Sequence, residues 1–206
     1  MSKFLVLAGV CFSTVLSAAP LQIVNVSAPA INCFFSTNCT VSGHDVVGFF
    51  TVPETTGQGM LLSRTYAGQP GAPLVGYGAY VYRVDVTGIH SGAAGAASIE
   101  SLTVPFPPEI IARDYGHTGN TNGQVWVITR GGLGTISLGA ATSTATNITF
   151  VFSPPIPCAN GTNAGQSSYF FGVVSTNATI PSVAQIQTLV GTNLFRVSAT
   201  NTSPRF

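Results

Sequence analysis

The sequence predicts an all-β, single-domain β-sandwich of about nine or ten short strands, on three observations. Apolar residues recur with period two, the spacing that places alternate side chains on one face of a strand. Gly- and Pro-rich clusters punctuate the chain at short intervals: "PETTGQG", "AGQPGAP", "HSGAAGAA", "RGGLG", "SPPIPCANGTNAGQ" and "VGTN". No long segment carries apolar residues at the three- and four-residue spacing of a helix. Short strands separated by such turns are the pattern of a sandwich.

Taken in order, the candidate strands lie near residues 21–27, 40–52, 59–66, 77–87, 97–106, 124–130, 146–153, 167–175, 183–190 and 193–199. In "AYVYRVDVTG", Tyr80, Tyr82, Val84 and Val86 share one face, while Val81, Arg83, Asp85 and Thr87 share the other. "ESLTVPF" puts Leu102, Val104 and Phe106 together, and "TNITFVFS" does the same for Ile148, Phe150 and Phe152. "QVWVITR" and "SYFFGVVS" are apolar on both faces, which suits strands in the middle of a packed sheet. "LVGTNLF" reads as a terminal hairpin. A transmembrane barrel is the competing all-β reading, because the sequence ends in Phe206. The last stretch, "TNTSPRF", lacks an alternating apolar face, and Pro204 cannot donate within a ladder.

The first residues, "MSKFLVLAGVCFSTVLSAAP", place one Lys before a short apolar run and then small residues. This is the layout of a cleaved signal peptide, expected over 1–19, with the secreted domain over 20–206. The apolar run is shorter than the roughly 20 residues of a comfortable membrane span. Cys11 follows Val10, which disfavours a lipoprotein anchor. Beyond the leader stand six Arg, no Lys and six acids, so the formal charge of the mature segment is zero. Nucleic acid is therefore not an expected partner, because phosphate binding needs clustered cations. Docking on anionic membranes is disfavoured for the same reason.

Cys33, Cys39 and Cys158 remain after processing. A secreted protein oxidises its thiols, and an odd number leaves one over. Cys33–Cys39 is the expected bridge because it closes a local loop, "FFSTN"; Cys39–Cys158 is the rival. No zinc spacing is present, and no metal or cofactor is expected.

Few residues offer catalytic chemistry. Ser167 and Ser168 do not sit in G-x-S-x-G, and adjacent His90 and Ser91 point to opposite faces of an extended chain. Asp85 and Glu100, read as lying on neighbouring strands, are the best carboxylate pair, but Arg83 shares the face of Asp85, which suggests a surface ion pair. His44, His90 and His117 are widely spaced. "RGGLG" is not followed by a helix that would hold a phosphate.

The loop "RDYGHTGNTNGQ" is the remaining polar concentration. Asp114, Asn120 and Asn122 echo part of a calcium loop, but a single carboxylate beside Arg113 is poor compensation for a divalent ion. A plain polar turn explains the same letters. Tyr115 is the best surface aromatic, a candidate glycan contact. The sequons at Asn25, Asn38, Asn147, Asn160, Asn177 and Asn201 matter only in a host that glycosylates them.

The run "SLTVPF", then "ITRGGLGTISLGAATSTATNITFVFSPPIPC", then "GQSSYFFGVVS", resembles a group of uncharacterised bacterial secreted single-domain β proteins, over residues 78–200 or so. That group has a "DYNGDG"-like loop where this chain reads "DYGHTGNTNG", and a cysteine before the "SLTV"-like strand where this chain reads "AASIE". The resemblance implies that a partner for Cys158 and most of the loop's acids have been lost. It implies an address and a fold, and no activity.

The expectation is a non-catalytic secreted or cell-surface protein, structural or self-associating, with itself or an extracellular glycan as partner. A carbohydrate-binding module is the alternative, and a hydrolase or outer-membrane barrel stands further off.

Overall fold

The computed structural model of the chain describes residues 18–92, 97–105, 110–117, 119, 123–161, 163–176, 183–190 and 193–200, the last of these by backbone only. Residues 1–17 of the expected leader lie outside them. The fold is the expected β-sandwich. Fourteen strands are present among the described residues, more than the nine or ten read from sequence.

One sheet, sheet A, runs β1 (Ala19–Pro20), β10 (Ser137–Ser143), β11 (Asn147–Pro157), β8 (Ser98–Pro105), β13 (Val183–Val190), β14 (Asn193–Thr200). The other, sheet B, runs β2 (Gln22–Ser27), β9 (Gln124–Arg130), β12 (Phe170–Ser175), β6 (Gly78–Asp85), β5 (Gly59–Ala67), β3 (His44–Phe50). A two-stranded ribbon pairs β4 (Thr55–Gly57) with β7 (Ile89–Ser91). Pairing is antiparallel throughout the strands except between β2 and β9. The chain crosses from sheet A to sheet B at Leu21, which ties the sheets along one side.

Alternation decides which face each residue takes. Tyr80, Tyr82 and Val84 of sheet B, with Val86 just past the end of β6, meet Leu102, Val104, Ile148, Phe150 and Phe152 of sheet A in one core. The Phe150 and Phe171 rings lie 4.8 Å apart there, at an interplanar angle of 55°. β9 and β12 occupy interior positions of sheet B, as their two apolar faces require. Their other face builds a second core, in which Val24, Val81, Trp126 and Val174 lie under Ile31, Phe35, Leu74 and Tyr115. A third layer of loops and one short helix thus covers part of sheet B.

The strands missed from sequence are β1, β4, β7 and β10. β10 contains Gly139, Ala140 and Ala141, which have little intrinsic preference for a strand. Pairing with β11 holds it in place, with a register shift between Leu138 and Ala140. The helix α1 (Ala28–Asn32) was also missed, although its signals are present. Ser27 caps it by accepting from the Ala30 amide at 3.3 Å, and proline occupies its first turn.

Candidate functional site

The covering layer leaves part of the outer face of sheet B open. The register puts Asp45 of β3 opposite Arg64 of β5, which faces Val81 of β6; Val47 lies opposite Leu62, which faces Arg83. These side chains share one face with Phe170. All of them except Val47 floor a groove of about 520 Å³. One wall is α1 with Val41, and the other is the turn Gly131–Leu133. Gly134 has φ of 107°, and a Cβ there would collide with the Ser168 carbonyl, so the turn can lie this close only as glycine. Leu133 projects from that turn and is 63% exposed.

Two guanidinium groups dominate the floor. Arg64 donates from Nε to Asp45 Oδ1 at 2.5 Å and from Nη2 to Oδ2 at 2.6 Å, with both side chains partly exposed. The Asp45 hydrogen bond holds the Arg64 pKa above its ordinary value, against the opposing effect of partial burial. Arg83 donates from Nη2 to Asp85 Oδ2 at 2.9 Å and to Ser167 Oγ at 2.8 Å. This is the ion pair expected from the sequence, but it is mostly buried and not at the surface: the two side chains are only 15% and 10% exposed. The Nε of Arg83 is buried without an acceptor. Both guanidiniums approach the Phe170 ring, at 5.4 and 5.8 Å from its centroid.

Beside the groove, β3 ends the sheet and exposes Val47 and Phe49, the latter to 60%. Their neighbours in register are Leu62 and Met60. The whole is an apolar face carrying two Arg, each matched by an Asp. Chemically it offers apolar contact area and neutralised ion pairs.

The sequence-predicted residues lie elsewhere. Cys33 and Cys39 are bridged, and Cys158 is a buried free thiol. Burial pushes its pKa up to about 11. Tyr115, expected at the surface as a glycan contact, is instead buried at 3% exposure. Its amide donates to Gln124 Oε1 at 2.9 Å, and its ring packs edge-on against Trp126 at 5.1 Å and Phe34 at 5.3 Å. The reason is that the loop folds back as part of the covering layer, and the exposed face of Trp126 would otherwise lie bare. Asp114 accepts from the Gly119 amide at 2.6 Å, bonding within its own loop. Asn120 and Asn122 lie outside the described residues.

The catalytic candidates have structural partners. Ser91 Oγ donates to the Ala159 carbonyl, and Ser168 Oγ accepts from the Val84 amide. Asp85 also accepts from Thr87, through its amide and its hydroxyl. Asp85 and Glu100 are on different sheets, β6 and β8, not on neighbouring strands. Among the described residues, no three His, Cys, Asp or Glu side chains cluster as metal ligands.

Sequence reasoning missed Phe49, Arg64, Leu133 and Phe170. A usable signal existed for Phe49: "GFF" in a strand must send one of two consecutive rings outward. In comparisons with protein-family models, curated proteins and solved structures, none matches this chain.

Proposed function

We propose that the protein is a non-catalytic, secreted or cell-surface β-sandwich that acts as a structural component by self-association. The observation that carries this reading is the exposure of Val47 and Phe49 on the edge strand β3, beside the Arg64–Phe170 groove. Edge strands are normally defended by Lys, Pro, bulges or brevity. β3 is seven residues long, has no Lys or Pro, and pairs with β5 without a register shift; β14 of sheet A lies against it, so what it offers is its exposed apolar side chains and not a bare edge. Its one charge, Asp45, is neutralised by Arg64. A zero net charge on the mature segment adds no long-range repulsion between copies.

The test is size-exclusion chromatography with light scattering on secreted protein over a wide concentration range. Growth in mass with concentration is expected, and a monomer at every concentration overturns the reading.

A second reading, carbohydrate binding, is favoured by the opposite face of the sandwich. Thr103, Asn147, Thr149, Gln185 and Gln187 line a shallow depression of about 250 Å³ on sheet A. Thr103 and Thr149 share a hydrogen bond of 2.9 Å. Neutral hydroxyls and amides match the donors and acceptors of a sugar. A glycan array probed with wild type and Gln185→Ala tests this, and no saccharide above background would remove it.

A further inference from the structure

We propose that the groove on the outer face of sheet B binds a small monocarboxylic acid with an apolar body, its carboxylate held by Arg83 and Arg64 and its body laid between Val41 and Leu133. A monomer can bind in this way, so the site does not depend on the self-association reading.

Size and lining set the class of ligand. The groove's volume of about 520 Å³ falls within the range of small-molecule sites, about 300–1,000 Å³, which are mostly apolar with a few placed polar groups. Val41, Leu62, Ile128, Leu133 and Phe170 supply the apolar part. Leu133 is 63% exposed, so a ligand body laid against it removes from water an apolar surface that the fold leaves bare.

The charges set the sign. Asp45, Arg64 and Arg83 are the charged residues of the lining. Asp85, the partner of Arg83, lies two residues further along β6, opposite Met60, and does not line the groove. The lining thus carries one more cation than anion, a balance that suits a monoanion better than a cation or a multiply charged phosphate.

The donors agree with this. Arg64 spends Nε and Nη2 on Asp45, and Arg83 spends Nη2 on Asp85 and Ser167. Among the described residues, Nη1 of each guanidinium meets no acceptor, and Nη1 of Arg83, unlike its Nε, is not sealed from solvent. The two Arg stand at diagonal positions on adjacent strands, and both reach the Phe170 ring. A carboxylate has two oxygens to share between two such donors. Ion pairs and the ring already fix both guanidiniums, so little side-chain freedom is lost on binding.

The experiment is isothermal titration calorimetry with phenylbutyrate, its neutral amide phenylbutyramide, acetate and phenylbutylamine. Saturable binding of phenylbutyrate is expected. The amide should bind at least about tenfold more weakly, because it forfeits the charge-assisted hydrogen bonds. Acetate lacks the body and the amine has the wrong sign, so neither should bind measurably. Leu133→Asp, at an exposed position on the wall, should weaken phenylbutyrate about tenfold with the thermal midpoint unchanged, whereas Leu133→Lys should retain it. Arg83→Gln should abolish binding; if that variant fails to fold, the two Leu133 variants carry the test alone. Equal binding of acid and amide, an affinity untouched by Leu133→Asp, or a wild type that binds none of the four compounds overturns the site. Titration at concentrations where the wild type is monomeric keeps the two readings apart: loss of this site leaves self-association standing, and a chain that never associates leaves this site standing.

Discussion

Arg64 grips Asp45 through two parallel hydrogen bonds across the β3–β5 pair, at 2.5 and 2.6 Å. This fork fixes the outermost strand of sheet B to its neighbour at one point, with both side chains 38% exposed. Solvent screens such a pair, so its worth to the monomer is small. Asp45→Asn should lower stability by no more than about 1 kcal/mol in urea denaturation. A loss several times larger would mean that β3 depends on this pair to stay attached.

Tyr115 separates a packing role from a ligand-binding one. Its ring is packed between Phe34 and Trp126, while its hydroxyl is buried without a partner. Tyr115→Ala should cost about 3–5 kcal/mol, the usual penalty for an aromatic removed from a core. Tyr115→Phe should be neutral or stabilising, because it deletes an unsatisfied hydroxyl. Chemical denaturation of both variants checks this, and a Tyr115→Ala protein as stable as wild type would refute the packing role.

Thr188 is fully buried, and its Oγ1 has no hydrogen-bond partner. Thr188→Val keeps the shape and removes the orphan oxygen. An increase of about 1 kcal/mol in unfolding free energy is expected. A decrease would reveal an acceptor that the hydroxyl reaches in solution.

Cys158 makes a prediction about alkaline pH. Burial raises its thiol from 9.0 to about 11, so the folded state retains the proton that the unfolded chain gives up first. This contribution to stability is intact below about pH 9 and is lost as pH climbs toward 11. Tyr66, Tyr82 and Tyr115 are raised by burial in the same direction and add to the fall. Denaturation midpoints from pH 8 to 11 should decline, with a shallower slope in Cys158→Ala. In native protein the thiol should resist iodoacetamide at pH 8 and react on unfolding; rapid native labelling would show that the site opens.

The Cys33–Cys39 bridge closes a loop in the covering layer that includes Phe34 and Phe35. Loop-closure entropy for so short a ring amounts to about 2 kcal/mol. Cys33→Ser/Cys39→Ser should lose roughly that much, with the sandwich between the two sheets still forming. Complete unfolding at room temperature would show that the layer over Trp126 is required for the whole fold.

Much of this architecture is legible in the chain. Alternation in "AYVYRVDVTG" assigns Tyr82 and Val84 to one core and Val81 to another surface, because a pleated strand turns successive side chains to opposite faces. The doubly apolar "QVWVITR" and "SYFFGVVS" name the interior strands, since only a sheet covered on both sides can hide both faces. The spacing of Cys33 and Cys39 is enough for their bridge, since local closure needs no knowledge of the fold. Tertiary structure alone decided the rest. Whether Tyr115 faces water or Trp126 depends on where its loop is laid, and that is set by a sheet assembled from strands far away in sequence. β10 is a strand because β11 lies beside it, not because of its own residues. The groove joins residues from β3, β5, β6, β12 and the Gly131–Leu133 turn, and no local pattern encodes their meeting. Side-chain direction is a property of the residue's place in its strand, whereas proximity between strands is a property of the order in which the sheet assembles them.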